Sequence, residues 1–171
     1  MLNNYMALLT LHKPLDDMSS LIKYRNHASL PIGGRYKLID FHLSNVTNAD
    51  IINVAIVGNE LNNNTLVDHV GTGASWDLDR KNNGVTFLDK YKENSYNDRI
   101  EILENNLKYF FRSTQKNVVI VDTSMIYNIN LKDVIKAHES NNSDATMVYK
   151  KVSGESYYQR DIVIVNSENR V

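Results

Sequence analysis

The chain contains no cysteine, two prolines and only seven glycines in 171 residues. The missing cysteines exclude a disulfide scaffold, a thiolate zinc site and a cysteine nucleophile. A surplus of positive charge is also missing. With 19 basic against 20 acidic residues and a net charge of −1, the chain lacks the cationic excess that a dedicated nucleic-acid binder needs to neutralise phosphates. No apolar run approaches the roughly 20 residues required to span a bilayer. The first residues, MLNNYMALLTLHKPLDD, lack the basic stretch that opens a secretory signal, so the expectation is a cytoplasmic protein. Glycine is scarce, since average usage of about 7% would give roughly 12. What remains is an ordinary globular composition, 42% hydrophobic and 23% charged, long enough for one domain with a real core.

Short apolar runs alternate with amphipathic segments along the chain. Tyr5 to Leu11 reads as a buried strand, and Tyr36 to Val46 as a helix, because Leu38, Ile39, Phe41, Leu43 and Val46 fit a helical stripe. Asn53 to Val57 is strand-like and Asn64 to Val70 suits a short helix. A polar stretch from Thr72 to Asn97 holds Trp76 and a short strand at Val85 to Leu88. Asp98 to Arg112 predicts a helix with Ile100, Leu103, Leu107 and Phe110/Phe111 on one broad face. The unbroken run Val118 to Val121 predicts an interior parallel strand. Asn130 stands where it could cap the next helix, with Asp133 three residues on and Val134, Ile135 and Ala137 behind. Ala145 to Val152 and Ile162 to Val165 complete the expected strands. Strand and helix in alternation imply an α/β fold with a mostly parallel sheet, in which ligands bind beyond the carboxyl ends of strands. The places to look are after Leu11, after Val57 and after Val121.

Few residue groups there carry chemistry. Gly33-Gly34-Arg35 precedes a helix. Glycines let backbone N–H groups approach a phosphate and arginine forks onto its oxygens, although a plain turn explains the same residues. Asp77 and Asp79 could face one hard cation from an extended loop, or could simply pair with Arg80 or Lys81. The five histidines, His12, His27, His42, His69 and His138, show no paired zinc-ligand spacing. Of these, His12 and His27 lie near an expected strand end or the glycine turn. There is no P-loop, no dinucleotide fingerprint and no G-x-S-x-G elbow.

From Pro31 to Asn45 the residues PIGGRYKLIDFHLSN resemble the P-F-G-G-[KR]-[YF]-R-x-I-D-F-x-L-S-N block of glucose-1-phosphate adenylyltransferases, the ADP-glucose pyrophosphorylases. In order follow Asn48-Ala49-Asp50-Ile51, like N-S-G-I, and His69-Val70-Gly71 through Trp76-Asp77-Leu78-Asp79-Arg80, like H-I-G-x-G-x-x-W-D-L-D-R. Asn83-Gly84-Val85-Thr86 is similar to G-G-V-T. Ile126-Tyr127 and Ser143-Asp144-Ala145-Thr146 match the H-I-Y and A-D-A-T neighbourhoods. The resemblance covers nearly the whole chain. It implies a Rossmann-like nucleotidyltransferase fold with a mostly parallel sheet flanked by helices. Residues 1–171 would form the N-terminal part of that domain, with its remainder and a C-terminal left-handed β-helix domain absent from this chain.

The departures concentrate at the family's catalytic positions. Where catalytic members place L-A-G-G-x-G-x-R-L after the first strand, this chain reads Leu9-Thr10-Leu11-His12-Lys13-Pro14-Leu15. Bulky side chains there cannot bring consecutive amides onto a triphosphate. The family's lysine before the glycine turn falls at about His27, and its base-facing glutamine at about Gly58. Its Mg²⁺-holding aspartate falls at Ser124, whose neutral hydroxyl is a poor ligand for a hard dication. Asp122 shares that face of a strand but stands about 6.5–7 Å away. The family's G-T-A-[DN]-A loop is also lost, within Asn97 to Leu103. This pattern resembles the GlgD-type subunit, a degenerate companion of the catalytic GlgC-type subunit in glycogen synthesis, where ATP and glucose 1-phosphate give ADP-glucose and pyrophosphate. The resemblance then implies no catalytic residue and no resident metal in this chain, with Mg²⁺ required by the catalytic partner, and a hetero-oligomer open to ATP, ADP-glucose or sugar-phosphate effectors. Gly33, Gly34 and Arg35 are the phosphate-contact candidates, with Lys37 and Arg80 as electrostatic support. Asp40 orients the turn from the start of its helix, and Trp76, Asp77 and Asp79 are motif residues of open role. Two alternatives stay open. The chain could be an active nucleotidyltransferase with Asp77, Asp79 or Asp122 as metal ligands and Lys13 supplying charge. Or it could be a module that senses a nucleotide or sugar phosphate without turnover.

Overall fold

A computed structural model of the protein describes residues 4–11, 19–22, 25–58, 64–89 and 103–150. The elements run β1 (Tyr5–Thr10), the single turn α1 (Ser19–Ile22), a 3₁₀ turn (His27–Ser29), β2 (Pro31–Ile32) and β3 (Tyr36–Lys37). Then come α2 (Leu38–Asn48), β4 (Asn53–Gly58), α3 (Asn64–Val70), a second 3₁₀ turn (Ala74–Trp76) and β5 (Gly84–Asp89). The series ends with α4 (Leu107–Arg112), β6 (Asn117–Asp122) and α5 (Leu131–Ser140). Two compact units divide the chain, Met1–Leu131 and Lys132–Val171. In the second unit, α5 is followed by an irregular stretch in which His138 Nδ1 lies 2.9 Å from Thr146 Oγ1.

Four strands in the order β5-β4-β1-β6 form the sheet of the first unit, and every pair in it is parallel. The sheet core is aliphatic: Met6, Ala7, Leu8 and Leu9 of β1 and Val54, Ala55, Ile56 and Val57 of β4 are all buried. That is the composition expected of interior parallel strands covered on both faces. On one face Leu8, Ala55 and Val57 pack with Leu88, Leu103, Tyr109 and Phe110. Helix α2 buries Ile39, Leu43 and Val46 completely, the i, i+4, i+7 stripe of an amphipathic helix.

Four expectations need correction. Among the described residues the strand at 118–121 is not interior: β6 pairs with β1 alone and stands at the edge of the sheet, and Val118 and Ile120 are exposed while Val121 is buried. An all-apolar run does not distinguish a strand covered on both faces from an edge strand whose neighbour is missing. The helix at 36–46 begins later, because Tyr36 and Lys37 pair with Ile32 and Pro31 in a small antiparallel hairpin before α2 starts at Leu38. The stripe from Leu103 to Phe111 is split. Residues 103–105 and 107–112 are helical with a break at 106. The break shifts the phase, so Tyr109 and Phe110 face the sheet while Leu107 and Phe111 stand exposed. Residues 145–150 form no strand; no strand ladder includes them among the described residues, and a strand without a ladder leaves its backbone to water. The segments 98–102, 151–152 and 162–165 lie outside the described residues.

Candidate functional site

The strand order locates the crevice. β1 is followed on one side by β4 and β5 and on the other by β6, so the chain changes direction between the carboxyl ends of β1 and β6, the position where open α/β sheets bind ligands. Side chains knit these two ends together. Thr10 donates its hydroxyl to the Val121 carbonyl at 3.3 Å, and Thr123 donates its backbone N–H and its hydroxyl to the Thr10 carbonyl at 3.2 and 2.9 Å. Asp122 closes β6, and its Oδ1 accepts the backbone N–H of Ser124 at 2.7 Å. Ser124 itself is exposed. His12, Lys13 and Pro14 lie outside the described residues.

Beneath this edge sits an imidazole cluster. His42, from the buried face of α2, is fully enclosed. Its ring lies 5.0 Å from the Tyr127 ring, centroid to centroid. Neither of its nitrogens meets a hydrogen-bond partner among the described residues. Burial, reinforced by His27, lowers its pKa to about 4, against the opposing pull of Asp122 and the Thr123 backbone. His42 is therefore neutral at neutral pH. The Tyr127 phenol is pushed up to about 12 by burial and by Asp122. Nothing in the spacing of the histidines singles out His42. Its place on the stripe Leu38, Ile39, His42, Leu43 and Val46 is the signal that could have marked it as core.

The hairpin carries the glycine turn. Gly33 and Gly34 both adopt positive φ, +61° and +79°, and an added Cβ at either would meet nothing within 4 Å. The turn is thus held by backbone conformation, and the space above it is open to solvent. The Arg35 guanidinium lies 5.9 Å from the centre of the Tyr36 ring, a cation–π spacing. Tyr36 in turn meets Phe41 edge-on. Turn, arginine and ring form one exposed surface.

The other candidates are engaged internally. Lys37 donates through Nζ to the Thr65 carbonyl at 3.2 Å. Asp40 accepts the Lys37 backbone N–H at 2.9 Å on one oxygen and meets His69 Nε2 at 2.6 Å on the other. Trp76 donates its indole N–H to the Ser44 hydroxyl at 3.3 Å and packs edge-on to His69. Residue 37, which caps α2, and residues 40 and 44 within it thus grip 65, 69 and 76 in sequence. Arg80 donates to the Asp77 carbonyl at 2.8 Å and pairs with the Asp77 carboxylate. Asp79 is exposed. The role of His69 in this frame leaves no trace in sequence spacing, because its partner lies 29 residues away.

A hard dication asks for six or more oxygen ligands, carboxylates foremost. Among the described residues this edge is a poor fit for one: Ser124 brings a neutral hydroxyl, and Asp122, the one carboxylate there, has an oxygen accepting the Ser124 backbone N–H. No group of three or more metal-binding side chains converges among the described residues. Likewise, no helix among them is long and apolar enough to cross a membrane.

The family described as Nucleotidyl transferase matches residues 20–169. Among curated relatives, the glycogen biosynthesis protein GlgD of Bacillus subtilis is 37% identical over 136 residues, which cover 78% of this chain and 39% of the relative. GlgD of Geobacillus stearothermophilus is 33% identical over 85% of this chain and 43% of its own length. The glucose-1-phosphate adenylyltransferase of Clostridium kluyveri is 31% identical over 84% and 38%. The chain therefore spans about two fifths of the length of these relatives. Among solved structures, a Bacillus anthracis chain described as a glucose-1-phosphate thymidylyltransferase superposes with a TM-score of 0.64 at 14% identity. That match covers 82% of this chain and 51% of the other, a likeness of fold alone.

Proposed function

The chain belongs to the nucleotidyl transferase family, and we propose that within it this polypeptide is the N-terminal part of a cytoplasmic GlgD-type subunit of glycogen synthesis. In this reading the full-length subunit continues through the rest of the nucleotidyltransferase domain and a left-handed β-helix domain. It modulates a catalytic GlgC-type partner that makes ADP-glucose from ATP and glucose 1-phosphate with Mg²⁺, and forms little or none of it alone. The reading rests on the resemblance, which puts the family's metal carboxylate at Ser124, and on one observation beside it: at the carboxyl edge of β1 and β6 the neighbouring Asp122 accepts the Ser124 backbone N–H. Arg80 pairs with Asp77 at the surface.

Gly33, Gly34 and Arg35 remain the candidates for an effector phosphate, because the turn is open and the guanidinium is presented at the surface. Lys37 and Arg80 contribute to the local potential, though their hydrogen-bonding capacity is partly committed. The test uses the full-length subunit with ATP, glucose 1-phosphate and Mg²⁺, alone and mixed with the catalytic partner. The expected result is ADP-glucose formation by the subunit alone at least 100-fold below the partner's, and a changed kcat/KM for the partner on mixing. Robust turnover by the subunit alone overturns the proposal.

A further inference from the structure

A second concave surface lies away from the strand ends, where α2 finishes and the chain runs from β6 toward α5. It is a groove of about 220 Å³ lined by Asn45, Asn48, Ala49, Asn128, Ile129, Asn130 and Leu131. Helix α2 starts at the hairpin and delivers the chain to β4, so its last turn lies toward the opposite edge of the sheet from the crevice between β1 and β6.

The lining is chemically unusual for this chain. Charged residues make up 23% of the sequence, yet none lines the groove. Four of the seven lining residues are asparagines, a side chain with two N–H donors and a carbonyl acceptor, of which Asn45 and Asn130 are already engaged within the chain. Asn45 fixes one wall by donating its amide to the Tyr127 carbonyl at 2.9 Å, which leaves its own oxygen as an acceptor. The side chains of Asn48 and Asn128 have no partner among the described residues. The buried Ala49 and Leu131 supply an apolar floor.

These features select a ligand class. With no cation in the lining, a phosphate or carboxylate has no counter-charge to leave water for. With no aromatic face, a nucleobase has nothing to stack on. Neutral donor–acceptor groups around a small apolar floor suit a hydroxyl-rich ring with a C–H face. The volume lies below the roughly 300–1,000 Å³ of ordinary small-molecule sites, so it accommodates one sugar-sized group. We propose that the groove formed by Asn45, Asn48, Asn128 and Asn130 binds a neutral saccharide unit, separately from any nucleotide at the strand ends. The inference does not depend on the subunit assignment above. A free monosaccharide and the end of a glucan chain present the same chemistry.

Saturation-transfer NMR on the 171-residue chain with methyl α-glucoside and with maltotriose tests this, with calorimetry giving the affinity. Millimolar binding is expected, weakened at least fivefold by N48A/N128A. Equal affinity for the two sugars would identify a single unit as the ligand, and tighter binding of maltotriose a chain end. ATP binding, measured in parallel, should be unchanged by these substitutions, which separates this site from the glycine turn. If the double variant does not fold, the exposed single change N128D is expected to weaken binding about threefold. No saturation transfer from either sugar, or unchanged affinity in the variants, would overturn the proposal.

Discussion

Two polar regions of the first unit are built on contrasting terms. From the N-cap of α2 onward, the side chains of Lys37, Asp40 and Ser44 each have a partner on α3 or the Trp76 turn. The contacts are short, local in space and distant in sequence. At the carboxyl ends of β1 and β6, by contrast, the hydrogen bonds run among Thr10, Asp122, Thr123 and Ser124, tying the edge to itself. Below them His42 is buried without a hydrogen bond among the described residues. The difference teaches that a motif can persist for two separate reasons. Asp40 of the I-D-F segment and Trp76 of the W-D-L-D-R segment serve here as a structural frame, which would be needed in an active or an inactive member alike. The departures that the resemblance implies fall instead at the strand ends, where a loss of chemistry would leave the frame intact.

The frame breaks most severely where backbone, not charge, is tested. Gly84 has φ near +91°, and a Cβ there would collide with the Leu78 carbonyl oxygen. Gly73, at φ +80°, would bring a Cβ within 2.7 Å of the Leu78 Cβ, so two glycines close around one buried leucine. Gly84→Ala combines left-handed strain with a backbone clash and is expected to cost about 3–5 kcal/mol. Gly33→Ala meets only the strain, about 1–2 kcal/mol. Urea unfolding followed by the single tryptophan, Trp76, measures both. Equal costs would mean that the Leu78 contact is not what requires glycine at 84.

The core of this arrangement was readable from the chain, and the limits were physical. β1, β4 and α3 follow from apolar runs and helical spacing, which report burial directly. The edge position of β6 could not be read, because Val118 and Ile120 look the same whether a neighbour covers them or not. The break at Asn106 was hidden because a helical stripe tolerates a one-residue phase shift among closely spaced aromatics. At the candidate site, the positive-φ conformation of Gly33 and Gly34 agrees with a glycine-dependent turn ahead of α2. The Asp40–His69 contact could not be read, since residues 29 apart meet only through the fold.

The strand-end region should differ from the frame most clearly in its response to acid. His42 titrates near 6.5 when unfolded and about 4 when folded, so the unfolded chain binds the extra proton between these values. Stability is therefore fully present above about pH 6.5 and falls as pH drops toward 4, by about 2–3 kcal/mol. His42→Leu removes the titrating group and should flatten that slope, at some cost in packing against Tyr127. Urea midpoints at pH 7.5 and 5.0 decide the matter. An undiminished slope in the variant would show that the acid sensitivity lies elsewhere.

Within the frame, burial should rank the contacts. The Asp40 carboxylate is largely buried and engages both the Lys37 N–H and His69. Its replacement by alanine removes a charge-assisted bond and the side chain that satisfies the first turn of α2, for about 1–2 kcal/mol. Arg80 and Asp77 also pair, but the Asp77 carboxylate is 87% exposed. Water replaces such a contact at little cost, and holding a long side chain in one geometry offsets much of the attraction. Arg80→Ala is accordingly expected to change stability by no more than about 0.5 kcal/mol, and 0.5 M salt to leave the wild-type value nearly unaltered. A loss as large as that of Asp40→Ala would mean that the guanidinium holds the loop through its bond to the Asp77 carbonyl. The W-D-L-D-R segment would then belong to the rigid frame along its whole length, and not only at Trp76.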